Sequence, residues 1–155
     1  MSVTCNQGYF TVKRNNIQIT NYDMQRLQEL LSGTKDLTEK KEKVLHKLES
    51  KLKRAKVVFW KEISHNVVTM NSQVRLIENG IEEEQVLDVV FPDEANPKWN
   101  HISVLTSLGT ALIGQSVGDN IKLKQTTGTT GRLKILEILF QPEANDLCNQ
   151  KPLRS

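Results

Sequence analysis

The N-terminal third of the chain carries a helical pattern of apolar residues. Residues at three- and four-residue spacing predict a first helix with one apolar face, namely Met24, Leu27, Leu30 and Leu31. Thr20 or Asn21 is suited to cap its N-terminus, and Asp23 follows in the first turn. Gly33, in Ser32-Gly33-Thr34, is expected to take the left-handed conformation that ends many helices.

A second helix is predicted from Asp36 onward, because Asp36 and Glu39 have the spacing of a capping box. Its apolar seam consists of Leu45, Leu48, Leu52 and Ala55, with Val44 beside it. The helix is expected to continue through Lys56 towards Val57 and Val58, which gives about 22 residues and a length of about 33 Å. The short linker between the two helices predicts that they run antiparallel as a helical hairpin.

After Trp60 the apolar period shortens to two, which is typical of strands with one buried face. Asn79-Gly80 is a strong signal for a β-hairpin. The pattern predicts a strand over Val68–Leu76, a strand buried on both faces over Gln85–Phe91, a short strand over Ile102–Leu105, a short helix containing Leu108, Ala111 and Leu112 that ends at Gly114, and strands over Ile121–Lys124 and Leu133–Phe140. The predicted fold class is α+β, in which a short N-terminal antiparallel helical hairpin precedes a mostly antiparallel sheet packed against one short helix.

The composition indicates a folded chain. Of 155 residues, 37% are hydrophobic and 25% are charged, which excludes a wholly disordered protein. No run approaches the roughly 18 apolar residues that a membrane span needs, and the first ten residues lack a secretory signal pattern. Cys5 and Cys148 lie near opposite ends, whereas a disulfide scaffold has more cysteines at closer spacing. We therefore expect a cytoplasmic protein that does not contact a membrane.

Charge is distributed unevenly along the chain. Met1–Ser64 contains 13 Lys and Arg against 7 Asp and Glu, whereas His65–Ser155 contains 8 against 11. This asymmetry predicts two modules, of which the first is suited to an anionic partner. The predicted divisions are an N-terminal extension over 1–15, the helical hairpin over 16–62, the sheet domain over 63–144 and an irregular tail over 145–155.

The sequence shows no pattern for catalysis or for metal binding. His46, His65 and His101 are far apart, and neither cysteine has a Cys or His at ligand spacing. Gly128-Thr-Thr-Gly131 lacks the Lys-Ser/Thr of a P-loop, and no Gly-x-Ser-x-Gly motif is present. We therefore expect no catalytic residue, no metal, no cofactor and no enzyme activity.

The second helix is the stronger candidate for function. Its lysines, which include Lys47, Lys51 and Lys53, either form a solvated surface or meet an anionic partner. Asp36 and Glu39 near its start either cap the helix or present paired carboxylates that bind Mg²⁺ through oxygen ligands.

Five short segments occur in an order that resembles a known family. They are His65–Arg75, Ile102–Leu105, Gly109–Gly114, Val117–Ile121 and Leu139–Ala144. With the first helix included, the chain resembles the bacterial Gre transcription factors over residues 15–144, and in particular their Rnk-type members, the regulators of nucleoside diphosphate kinase. The resemblance implies an antiparallel helical hairpin followed by an FKBP-like domain.

The resemblance also implies a partner. In Gre factors the C-terminal domain binds RNA polymerase beside its secondary channel, and the hairpin carries acidic residues to the catalytic Mg²⁺ to promote cleavage of backtracked RNA. This chain departs from the Gre pattern because Leu105-Thr106-Ser107 stands where those factors carry Asp-Ser-Pro, and because its hairpin is short, as in Rnk-type members.

The function that the resemblance implies is a monomeric transcription regulator that binds RNA polymerase at the rim of the secondary channel without stimulating cleavage, and that affects nucleoside diphosphate kinase indirectly. The implied polymerase contacts are Val104, Leu105, Thr106, Ser107 and Leu108; the hairpin tip carries Asp36 and Glu39; and the basic hairpin face that meets nucleic acid or the acidic channel lining carries Lys47, Lys51 and Lys53. Two alternatives stay open, namely a cleavage-stimulating factor that uses the tip acids and a peptidyl-prolyl isomerase that uses the FKBP-like fold.

Overall fold

The computed structural model describes residues 17–34, 39–78, 83–124 and 130–145. Its helices are α1 (Asn21–Gly33), α2 (Glu39–Arg54) and α3 (Ser107–Leu112). Its strands are β1 (Gln18–Thr20), β2 (Lys56–Val58), β3 (Gln73–Glu78), β4 (Glu84–Val90), β5 (His101–Ser103), β6 (Asn120–Lys124) and β7 (Thr130–Phe140). The predicted α+β class is confirmed.

The main sheet has five strands in the order β5-β4-β3-β7-β6. Its neighbouring strands pair antiparallel except for β4 and β5, which pair in parallel with Val89 opposite Ile102. The predicted turn at Asn79-Gly80 lies outside the described residues, but the two strands on either side of it pair antiparallel, with Leu76 opposite Gln85. The mostly antiparallel sheet expected from the period-two pattern is therefore present.

Strand β3 begins at Gln73, so the prediction of a strand from Val68 is wrong. The preceding residues form a buried turn in which the amide of Ser72 donates to the carbonyl of Thr69 at 3.1 Å. Asn71 in this turn has a φ of 66°, a left-handed conformation that interrupts the extended backbone of a regular strand. Val68 and Met70 are buried as the alternation indicates, but in a turn and not on the face of a strand.

A second, two-stranded sheet was not predicted. β1 and β2 pair in parallel, with Ile19 opposite Val57, and the amide of Lys56 donates to the carbonyl of Ile17 at 2.8 Å. Helix α2 therefore ends at Arg54, and the prediction that it continues towards Val58 is wrong. The sequence pattern did not reveal this pairing because each strand has only three residues and its partner is 38 positions away.

The two ends of α1 test two predictions made from local sequence patterns. The hydroxyl oxygen of Thr20 accepts a hydrogen bond from the amide of Asp23 at 3.0 Å, which confirms a cap at the predicted start of α1. Gly33 is the last residue of α1 and does not have a positive φ, so its predicted left-handed conformation is wrong. No described helix is long and apolar enough to cross a membrane.

The helices and the main sheet share one hydrophobic core. Leu48 and Leu52 of α2 are buried in it as predicted, together with Leu27 of α1. Val44 is buried while Leu45 is only half-buried, so the seam lies closer to Val44 than the sequence indicated. The same core contains sheet and α3 residues, among them Val74, Leu76, Val89, Leu112 and Ile135. Packing against the sheet therefore holds the N-terminal helices in place.

Candidate functional site

Residues 104–108 form a tight connection between β5 and α3. The hydroxyl of Thr106 donates to the carbonyl of Ser103 at 2.7 Å and accepts from the amide of Gly109 at 3.0 Å, which caps α3. The amide of Leu105 donates to the hydroxyl oxygen of Ser103 at 3.0 Å. The hydroxyl of Thr110 donates to the carbonyl of Val104 at 2.6 Å. These bonds fix the backbone of the segment.

Gly109 allows α3 to lie directly against the end of β5. A Cβ atom at this position would approach the carbonyl oxygen of Ser103 to 2.2 Å and the Cα of Val104 to 2.8 Å, both far inside van der Waals contact. The glycine is therefore needed for the close approach of the two backbones.

The structure divides the predicted contact residues into two groups. Val104 is fully buried, so its predicted role as a polymerase contact is corrected to a role in the core. Thr106 and Ser107 are exposed, and Leu105 and Leu108 are half-buried because part of each side chain packs against the core. The surface that a partner can reach is thus formed by residues 105–108.

Lys51 requires a second correction. It was predicted on the basic face of the hairpin, but it is buried, with 6% of its surface exposed. Its ammonium donates to the carbonyl of Thr110 at 3.0 Å and to the carbonyl of Ala111 at 2.8 Å. Both carbonyls belong to the last turn of α3, where backbone acceptors lack helical partners. Lys51 therefore links α2 to the helix that follows the exposed segment.

The environment of Lys51 makes it titratable near neutral pH. Burial, reinforced by the positive charge of Arg54, lowers the pKa of Lys51 from 10.5 to about 7, against an opposing effect of Asp119. The sequence did contain a signal for its burial, because Val44, Leu48 and Lys51 follow the four- and three-residue spacing of the seam. Because lysine is charged, the sequence pattern did not identify residue 51 as a buried position of the seam.

The other two lysines of the predicted basic face are exposed, but they differ in their surroundings. Lys47 lines a cleft of about 700 Å³, and Lys53 is not part of its lining. We call this the basic cleft, and it lies between α2, α3 and β6. Its lining consists of Ile17, His46, Lys47, Ser50, Lys51, Arg54, Ser107, Thr110, Ala111, Gln115, Lys122 and Leu123. The structure thus brings part of the basic helix face next to Ser107 of the exposed segment.

The predicted hairpin tip is only partly described. Asp36 lies outside the described residues, and Glu39 is the exposed first residue of α2, with Glu42 one turn later. Within the described ranges, no group of three or more His, Cys, Asp or Glu side chains is arranged to hold a metal ion.

The sequence patterns did not indicate a buried acidic cluster, which consists of Asp23 and Glu143. Asp23 of α1 is fully buried, forms an ion pair with Arg26, and accepts from the amide of Met70 at 3.0 Å. Glu143 accepts from the hydroxyl of Thr69 at 2.6 Å. Burial, and then the negative charge of Asp23, raises the pKa of Glu143 to about 7, and burial also raises the pKa of Asp23.

Asp23 ties α1 to the turn before β3, and Glu143 ties the same turn to the segment after β7. From the sequence, Asp23 is explained as an acidic residue in the first turn of a helix, where it is favourable. The sequence therefore did not indicate that Asp23 bonds to residues far away in the chain. The Arg26 guanidinium also lies over the ring of Phe91, 5.3 Å from its centroid, which adds a contact between α1 and the end of β4.

Two family models match this chain, and together they cover most of it. The model of the C-terminal region of transcription elongation factors GreA and GreB matches residues 63–140, which is half of the chain. The model of the Rnk N-terminus matches residues 15–58.

Individual proteins show the same similarity. The regulator of nucleoside diphosphate kinase from Escherichia coli K12 is 36% identical over 97 residues, which are 63% of this chain and 71% of that protein. GreA from Thermodesulfovibrio yellowstonii is also 36% identical over 97 residues, but these span only 61% of its length. The solved structure of a GreA/GreB elongation factor from Nitrosomonas europaea aligns with a TM-score of 0.68 and 34% identity, over 81% of this chain and 98% of that one.

Proposed function

The chain belongs to the GreA/GreB transcription elongation factor family, and from this membership we propose that it is a cytoplasmic regulator that binds RNA polymerase near the secondary channel without stimulating transcript cleavage. Factors of this family generally bind RNA polymerase. In this proposal residues 105–108 form the docking surface, and any effect on nucleoside diphosphate kinase follows indirectly from transcription.

The single observation that carries the proposal is the exposed, fixed segment between β5 and α3. Its backbone is held by side chains of Ser103, Thr106 and Thr110, so little conformational entropy is lost when a partner docks. Leu105 and Leu108 leave part of their apolar surface exposed beside the hydroxyls of Thr106 and Ser107. An apolar centre with a polar border is the usual composition of a protein interface.

The helices support the second half of the proposal, that cleavage is not stimulated. α2 has 16 residues instead of the predicted 22 or so, which makes it about 24 Å long. Its buried residues from Leu48 onward, including Lys51 and Leu52, hold its C-terminal half against the body of the protein. Only the part before Leu48 is available to extend, which supports a factor whose Glu39 does not reach the catalytic metal ion.

The proposal is tested by the affinity of purified core RNA polymerase for variants of the docking surface. Leu105→Asp and Ser107→Arg are both expected to weaken binding by about tenfold or more, because central interface residues often contribute 2 kcal/mol or more. Ser107 is exposed, so Ser107→Arg retains the fold even if the half-buried Leu105 proves less tolerant.

Gln85→Arg is the matched control, since it adds the same charge at an exposed position of β4. It is expected to bind like the unmodified protein. If Ser107→Arg also binds with unchanged affinity while its melting curve is unchanged, the docking surface is not the one proposed.

A further inference from the structure

We infer that the basic cleft binds a small phosphorylated molecule of nucleotide size that carries two or more adjacent phosphate groups. This binding site goes beyond the proposed function, and it adjoins the proposed docking surface because Ser107 belongs to both.

The charge of the lining supports an anionic ligand. Lys47 and Arg54 enter the cleft from α2, and Lys122 enters from β6, so three exposed cations converge from two elements. Among the described residues that line it there is no Asp or Glu. A single phosphate monoester carries only about −1.5 to −2 at neutral pH. Three converging cations therefore suit a ligand with at least two phosphates, which also offers several acceptor oxygens for charge-assisted hydrogen bonds.

Lys51 adds a buried amine to the same cleft, and a bound anion would favour its charged form. Within the described ranges no carboxylate lies within ion-pair distance of its ammonium, although burying an unpaired charge is costly. An ammonium has three N–H donors, and two of them are used by the carbonyls of Thr110 and Ala111. Asp119 acts on Lys51 only from beyond ion-pair distance, and a bound phosphate would place a counter-charge closer to the ammonium.

The size and the remaining lining indicate an organic ligand rather than a free phosphate ion. A volume of about 700 Å³ lies within the range typical of sites for small organic molecules. Ile17, Ala111 and Leu123 provide apolar surface for a ring system, and Ser50 and Gln115 provide hydrogen-bonding groups for its polar edges. A nucleoside diphosphate combines these properties.

The inference is tested by titration calorimetry of the full chain at low salt, with ADP, inorganic pyrophosphate and adenosine as the probes. ADP is expected to bind, pyrophosphate is expected to compete with it, and adenosine is expected not to bind. Arg54→Gln and Lys122→Gln should each weaken ADP binding by about tenfold, the loss expected for one charge-assisted hydrogen bond.

Lys43→Gln is the matched control, because Lys43 is an exposed lysine of α2 outside the cleft. Its affinity for ADP is expected to fall by clearly less than tenfold, since Lys43 does not line the cleft and acts on a bound ligand only through long-range electrostatics. The inference is overturned if neither ADP nor pyrophosphate binds, or if Lys43→Gln weakens binding as much as Arg54→Gln does. It is also overturned if a single-stranded oligonucleotide binds through Arg54 and Lys122 while ADP does not, since the cleft then serves nucleic acid.

Discussion

The ammonium of Lys51 in α2 lies 2.8 Å from the carbonyl oxygen of Ala111 at the end of α3. Through this bond and a second one to the carbonyl of Thr110, Lys51 completes the hydrogen bonding in the last turn of the helix that carries Ser107. The orientation of α2 and the position of the proposed docking surface are therefore coupled.

The buried Lys51 should make stability rise with pH above neutrality. Its pKa is about 7 in the folded chain and near 10.5 in the unfolded chain, so between these values the unfolded chain binds more protons and the free energy of unfolding increases with pH. Urea unfolding at pH 7 and pH 9 should show that Lys51→Met loses about 1 to 2 kcal/mol of this increase relative to the unmodified protein. Lys43→Met, at an exposed position of the same helix, should retain it.

Glu143 should have the opposite effect on the acidic side of neutrality. Its pKa is raised to about 7 from 4.5, so between these values the folded chain holds a proton that the unfolded chain has released, and stability falls as the pH rises. Glu143→Gln removes this loss and still offers an oxygen to the hydroxyl of Thr69. Denaturation at pH 5 and pH 8 should therefore show a smaller fall for Glu143→Gln, whereas the exposed Glu49→Gln should behave like the unmodified chain. Equal slopes for Glu143→Gln and the unmodified chain would contradict the assignment.

Gly109 and Gly33 form a matched pair for the approach of α3 to β5. Gly109→Ala is expected to destabilise the fold by about 1 to 3 kcal/mol, the usual effect of overpacking, because its Cβ would meet the Ser103 carbonyl at 2.2 Å. Gly33→Ala has nothing within 4 Å of its Cβ and should stabilise α1 by about 0.5 kcal/mol. Thermal melts of the two variants should therefore shift in opposite directions, and a neutral Gly109→Ala would show that α3 is free to move away.

Transcript cleavage distinguishes the proposed regulator from a cleavage-stimulating factor. When the protein is added to a backtracked elongation complex, the rate of RNA cleavage is expected to stay unchanged, because α2 is short and anchored from Leu48 onward. Cleavage that is accelerated by the unmodified protein and lost in Glu39→Ala or Asp36→Ala would refute the argument from helix length.

Local patterns predicted the elements that depend on local chemistry. The cap at Thr20 and the buried positions Leu27, Leu48 and Leu52 agree with their spacing along the helices. The approximate positions of the five main strands also agree, because period-two burial is decided largely within each strand.

The side-chain bonds that sequence patterns did not reveal depend on partners far away in the chain. Asp23 bonds to Met70, Thr69 to Glu143, and Lys51 to Thr110, with separations of 47 to 74 residues. In each case one partner is a polar side chain that a helix or turn position explains equally well. The spacing of apolar residues along the chain does not indicate such pairs. The basic cleft and the acidic cluster could therefore be identified only from the three-dimensional structure.

The parallel pair of β1 and β2 joins the two ends of the segment that contains α1 and α2, which we call the helical arm. We call this strand pair the clasp. Because Gln18 lies beside Lys56, the chain enters and leaves the arm at one place, however long the arm is. Whole turns of about 5.4 Å can therefore be inserted at the end of α1 and the start of α2 without disturbing the clasp or the Lys51 contact. The length of the helical arm can thus be changed while the rest of the fold stays the same. A series of variants with arms of increasing length would measure how long the arm must be for the protein to act on its partner.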